Sequence, residues 1–148
     1  MNLEYTFITL DSGIVRMKLP TELALIEDFL LSDVGFNNGG RYLKLLNSAI
    51  HTDTFDERIT GNTTTLCINP SKTLVINNPL DSEMEIETHV LRNIVEIYAR
   101  NVYIHKLNLK LKREQELITR SVNEIIGSTG TKLIETIESV DENLRKWA

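Results

Sequence analysis

From about Ile86 to Ile125 apolar residues recur at helical spacing without a turn signal, so much of this chain is committed to one long helix. Ser82-Glu83-Met84-Glu85 reads as a capping box that starts the helix, with Ser82 covering the amide of Glu85 and Glu85 reaching back. Ile86, Val90, Leu91, Ile94, Ile97, Tyr98 and Val102 then repeat at intervals of three and four. Over residues 103–112 the pattern is ambiguous. Tyr103, His105, Leu107, Leu109 and Leu111 alternate with Ile104, Lys106, Asn108, Lys110 and Lys112 as an amphipathic strand does. Helix is the preferred reading, because Leu111, Ile118, Val122 and Ile125 resume a helical stripe up to Gly127-Ser128-Thr129-Gly130. After that break Leu133, Ile137, Val140, Leu144 and Trp147 follow the seam period of a coiled coil, which predicts a second helix over 131–147 that needs a partner helix.

The preceding segments are of another kind. Residues 3–10 and 14–19 flank Asp11-Ser12-Gly13, with Leu3, Tyr5 and Phe7 on one face of the first segment and Val15, Met17 and Leu19 on one face of the second. They read as a hairpin with one buried side. Pro20 ends the second strand and Thr21 is placed to cap a helix from Glu22, whose apolar face is Leu23, Leu25, Ile26, Phe29 and Leu30. Gly35 to Gly40 break that pattern, and a second helix over Arg41 to Ile50 is apolar round more than half its circumference. Residues 51–58 are polar and read as a loop. The β-branched runs 63–68 and 73–76, joined by Asn69-Pro70-Ser71-Lys72, form a second hairpin closed by Pro79. The expected fold is α+β: two β-hairpins forming an antiparallel sheet packed by helices, as a core domain over 1–105, followed by a C-terminal helical extension over 106–148.

At 148 residues the chain can bury a core without staples, and no window has the length and apolarity to span a bilayer. The opening residues carry no positive charge and start a strand pattern, so no secretory leader is expected. One cysteine, Cys67, fits a reducing cytoplasmic compartment and reads as a small apolar strand residue. The formal charge of −5 disfavours general nucleic-acid binding, yet residues 100–120 carry a net charge of +4. Without interleaved aromatics, that stretch reads as a solvated helix face or a patch that meets an acidic surface.

No nucleophile elbow, dinucleotide fingerprint or paired-acid motif is present, so neither a catalytic site nor a cofactor is expected. His51, Asp53, Asp56 and Glu57 lie in a polar loop without metal-ligand spacing, and Glu85 and His89 share a helix face in the manner of a local hydrogen bond; no metal site is expected. His105 reads as a partly buried residue with a backbone partner. Gly39-Gly40-Arg41 at a helix entrance has the free amides and guanidinium that hold an anion, which together with the His51 to Glu57 loop defines the alternative reading, a small-ligand sensor or enzyme.

Residues 41–105 combine the helix Arg41-Tyr42-Leu43-Lys44-Leu45-Leu46-Asn47-Ser48-Ala49-Ile50, strands at Leu66-Cys67-Ile68 and Leu74-Val75-Ile76, then Asn78-Pro79-Leu80-Asp81 and a helix through Ile94-Val95-Glu96-Ile97-Tyr98. That order resembles the class I type III secretion chaperones of the Tir-chaperone fold. The resemblance implies a non-enzymatic dimer with the helix from Leu43 to Ala49 at its two-fold interface and strands that hold an unfolded client. The preferred expectation is a chaperone-, inhibitor- or assembly-like protein-binding module, with a protein partner or a homodimer as its complex and no membrane. Its expected interface residues are Leu43, Leu46, Ile50, Leu111, Ile118, Val122, Ile125, Leu133, Ile137, Val140, Leu144 and Trp147.

Overall fold

A computed structural model describes residues 3–126 together with 138, 139 and 142. The chain divides into two compact units, one ending at Val102 and the other starting at Tyr103. The first unit opens with the antiparallel pair β1 (Thr6–Thr9) and β2 (Val15–Lys18), in which Phe7 lies opposite Met17. Gly13, at φ 85°, closes the turn, and its amide donates to Leu10 O at 2.8 Å. Val15, Met17 and Leu19 are buried as the alternation requires, whereas Tyr5 is exposed and Leu3 and Phe7 are half-buried.

A 3-10 turn at Thr21–Leu23 leads into α1 (Ala24–Phe29), and a π-helical turn, Leu30–Val34, follows. Thr21 does not cap this segment through its side chain; Pro20 precedes the first turn instead. Leu23, Ile26, Phe29 and Leu30 are buried, as the apolar face demands. Helix α2 (Gly39–Ile50) buries Tyr42, Leu46 and Ala49, and the Tyr42 ring meets Phe29 edge to face at 5.0 Å. Gly39 lets α2 start against the long helix, since a Cβ there would come within 2.8 Å of Ala99 Cβ.

The second hairpin has grown into a four-stranded antiparallel meander: β3 (Glu57–Thr60), β4 (Thr64–Ile68), β5 (Lys72–Asn77) and β6 (Ser82–Glu87), in that order across the sheet. Two expectations are corrected here. Glu57–Thr60 is an edge strand and not loop, with Ile59 opposite Leu66. Ser82–Glu87 is also a strand, so the capping box does not form: Met84 lies opposite Val75 and Ile86 opposite Thr73, which puts both on the inner face and the three glutamates outward. Helix α3 (Thr88–Ile126) therefore starts at Thr88, whose hydroxyl donates to Asn69 O at 2.7 Å and ties the helix start to the β4–β5 turn. Residues 103–112 are helical, and α3 runs as far as the described residues reach, to Ile126. The predicted break at 127–130 lies outside the described residues. Of the helix expected over 131–147 only Glu138, Ser139 and Glu142 are described; they are helical and exposed.

The core of the first unit joins all these pieces. Ile26, Phe29, Leu46, Leu66, Val75, Leu91, Ile94 and Val95 are fully buried within it. Tyr98 crosses from α3 to the hairpin and donates its hydroxyl to Val15 O at 3.2 Å. Burial pushes its phenol pKa up.

Candidate interaction surface

The buried polar chemistry of the first unit is turned inward. Asp33, in the π-helical turn, is 3 % exposed. Its carboxylate accepts from the Thr63 and Thr64 amides, each at 3.0 Å, and so pins the β3–β4 turn to the end of the first helical segment. Asn62 Nδ2 donates to Ser32 O and Asn38 Nδ2 to Asp33 O, both at 2.9 Å. Gly61 leaves no room for a side chain here, since a Cβ would lie 2.7 Å from the Asp33 carboxylate and 3.0 Å from Tyr42 Oη. Burial first, and the Asp33 charge second, raise the Tyr42 pKa, with Arg41 acting weakly against them. Every one of these groups answers another group of the same chain, so the cluster is a structural lock.

Other candidates from the sequence disperse. Arg41 is exposed at the entrance of α2, but Gly39, two residues before it, serves packing against Ala99. His51, Asp53 and Asp56 are exposed in the α2–β3 connection, and Glu57 has moved into β3. Glu85 and His89 do not share a helix face: Glu85 lies on β6, 3.0 Å from Lys72 Nζ, and His89 Nε2 lies 3.5 Å from the Glu87 carboxylate. No group of three or more His, Cys, Asp or Glu side chains converges as metal ligands among the described residues. Arg92 and Arg100 both bond Glu96, at 2.6 and 2.9 Å, and hold its carboxyl below the usual range, the Arg100 bond contributing most. Arg92 also donates to Asn47 Oδ1 at 2.8 Å, joining α2 to α3.

The second unit differs, because its helix carries two distinct rows. Lys106, Lys110, Glu114 and Leu117 are half-buried and Ser121 is 6 % exposed, at spacings of four, four, three and four. About 90° round the helix lies a second row. It consists of Ile104, Leu107, Leu111, Ile118 and Val122, exposed between 41 % and 55 %. Arg113 and Arg120 lie on the side opposite to this apolar row.

The predicted interface residues fall into three groups. Leu111, Ile118 and Val122 lie together on the exposed row, whereas the side chain of Ile125 lies outside those described. Leu46 is corrected: it is 0 % exposed and belongs to the core, while Leu43 is half-buried against that core and Ile50 is half-buried at the end of α2. Leu133, Ile137, Val140, Leu144 and Trp147 lie outside the described residues. Ile104 and Leu107 were missing from the predicted surface because the alternation over 103–112 hides their helical spacing from Leu111. Comparison with known protein families, characterised proteins and solved structures gives no match to this chain.

Proposed function

We propose that this chain is a non-enzymatic protein-binding module that associates with another polypeptide through the second half of α3. The observation that supports this is the row of five half-exposed aliphatic side chains on one helix face. Isolated exposed leucines are ordinary on any surface, but an aligned row at helical spacing is the pattern by which helices dock. Covering each side chain contributes on the order of 1 kcal/mol. The module is a holder of protein partners in the manner of a chaperone, inhibitor or assembly subunit, and it works in the cytoplasm, where Cys67 stays reduced. No helix of the described residues is long and apolar enough to cross a membrane.

The test is capture of partner protein from the native host by the immobilised chain. Leu111→Glu combined with Ile118→Glu abolishes capture while helical circular dichroism is retained, and Arg41→Ala leaves capture unchanged. Full capture by the double variant refutes the assignment of this face. Loss of capture with Arg41→Ala instead favours the anion-sensor reading.

A further inference from the structure

The four-stranded sheet of the first unit ends at β6, whose outer edge pairs with no strand among the described residues. The pairing with β5 fixes which backbone groups that edge leaves open. The Thr88 amide donates to Ser71 O at 3.0 Å, and this pair continues the β5–β6 register by one step. Bonded and unbonded pairs alternate along an antiparallel ladder. Ile86, Met84 and Ser82 therefore bond to β5, while Glu83, Glu85 and Glu87 turn their N–H and C=O groups outward. Among the described residues none of these three has a backbone bond to another element. The same three residues are exposed, and alternation sets their carboxylates on one face of the sheet, about 7 Å apart. Lys72 answers Glu85 at 3.0 Å and His89 lies 3.5 Å from Glu87, whereas Glu83 has no ion-pair partner among the described residues.

We propose that the edge of β6 is a second docking surface, which takes an extended basic segment of another protein as a fifth antiparallel strand. The backbone of that segment bonds to Glu83, Glu85 and Glu87, and a lysine or arginine opposite each glutamate stands on the same face. Its intervening residues fall on the inner face beside Met84 and Ile86. The charge pattern selects this occupant. At the other edge β3 is shorter and carries Glu57 next to Arg58, so only β6 offers a row of one sign. A second copy of β6 is excluded by that row: pairing through the outward groups sets glutamate against glutamate in every antiparallel register, and like charges directly opposite are destabilising. The surface belongs to the first unit and does not depend on the apolar row of α3.

The probe is a blocked nine-residue peptide in which lysine alternates with threonine and valine, titrated into the full chain. It binds, and at saturation hydrogen exchange at the Glu83, Glu85 and Glu87 amides slows at least about tenfold, while the Met84 and Ile86 amides, already bonded to β5, change little. Replacing Glu83, Glu85 and Glu87 together by glutamine weakens binding about tenfold, as the loss of three exposed ion pairs requires. N-methylation of the three central lysine amides abolishes binding with the charges intact, because those N–H groups face β6. The Leu111→Glu, Ile118→Glu chain binds the peptide as the unmodified chain does, which separates this surface from the one on α3. Equal binding of the N-methylated peptide, or binding without slowed exchange at the three amides, shows a contact through charge alone and overturns strand addition. Absence of binding leaves the glutamates as guards of a bare edge against aggregation and overturns the proposal too.

Discussion

Replacing Asp33 by alanine tests whether one buried carboxylate fixes the junction between the first helical segment and the sheet. The substitution removes two acceptors, each 3.0 Å from a backbone amide, and Thr64 is itself buried. A hydrogen bond to a charged acceptor contributes about 1.5–3 kcal/mol, and a buried donor left without an acceptor costs about 1–3 kcal/mol. Thr63 is only part-buried and water can reach its amide, and removing the carboxylate also removes its own desolvation cost, so the net loss falls near 3 kcal/mol and not at the sum. With a urea dependence of about 2 kcal/mol per molar, the unfolding midpoint drops by about 1.5 M. Asp33→Asn falls between the two, since the amide retains one oxygen but sets an NH2 group against a backbone donor. Urea unfolding followed by far-ultraviolet circular dichroism, with hydrogen exchange at Thr63 and Thr64, reads both effects. A loss below about 0.5 kcal/mol for Asp33→Ala, with both amides still protected, refutes the claim that this carboxylate holds the turn.

Gly39→Ala destabilises by about 1–3 kcal/mol, because the new methyl lies 2.8 Å from Ala99 Cβ; Ala99→Gly in the same chain recovers most of that loss, and a thermal-melt double-mutant cycle without coupling refutes the contact. Tyr42 and Tyr98 both have pKa values raised by burial, so the folded state holds protons that the unfolded state releases. Stability is therefore unaffected below about pH 10, the ordinary tyrosine value, and falls as pH rises beyond it. Absorbance titration of phenolate formation shows two of the four tyrosines ionising late, and Tyr98→Phe removes one of them.

Much of the fold is written in local pattern, and the departures have physical causes. Val15, Met17 and Leu19 are buried at period two because the hairpin has a single inner face. Ser82–Glu87 misleads because Ile86 belongs to two patterns at once: it is the last inward residue of a strand with Met84 and the apparent first residue of the helical stripe that continues at Val90. Glutamates at 83, 85 and 87 are good helix formers, and the pairing with β5 overrides that preference. Glu57–Thr60 has only Ile59 as an apolar signal, so its strand is visible only once β4 lies beside it. Asp33 gives no local signal, because its partners, Thr63 and Thr64, lie some thirty residues away. At the candidate surface Leu111, Ile118, Val122 and Ile125 could be read from spacing, whereas Leu46 shares the amphipathic pattern of α2 and only the packed core shows that its side chain is spent internally.

The division at Val102 separates two uses of apolar side chains. Among the described residues Val102 is the last buried hydrophobic one; beyond it Ile104, Leu111, Ile118 and Val122 remain about half open to water. Ile104, Ile118 and Val122 do not favour the helix they sit on, since isoleucine and valine lose side-chain freedom in a helix and are poorer formers than lysine, glutamine or alanine by a few tenths of a kcal/mol each. A face selected only to stay helical and solvated would be mostly polar, as the opposite side is, where Arg113, Glu116 and Arg120 lie beside a single exposed leucine, Leu109. β-branched residues become favourable at these positions when another surface covers them, because their restricted rotamers then cost little to order and their methyl groups leave water. That asymmetry between two sides of one helix is why the second half of α3, and not the polar lock around Asp33, carries the functional assignment.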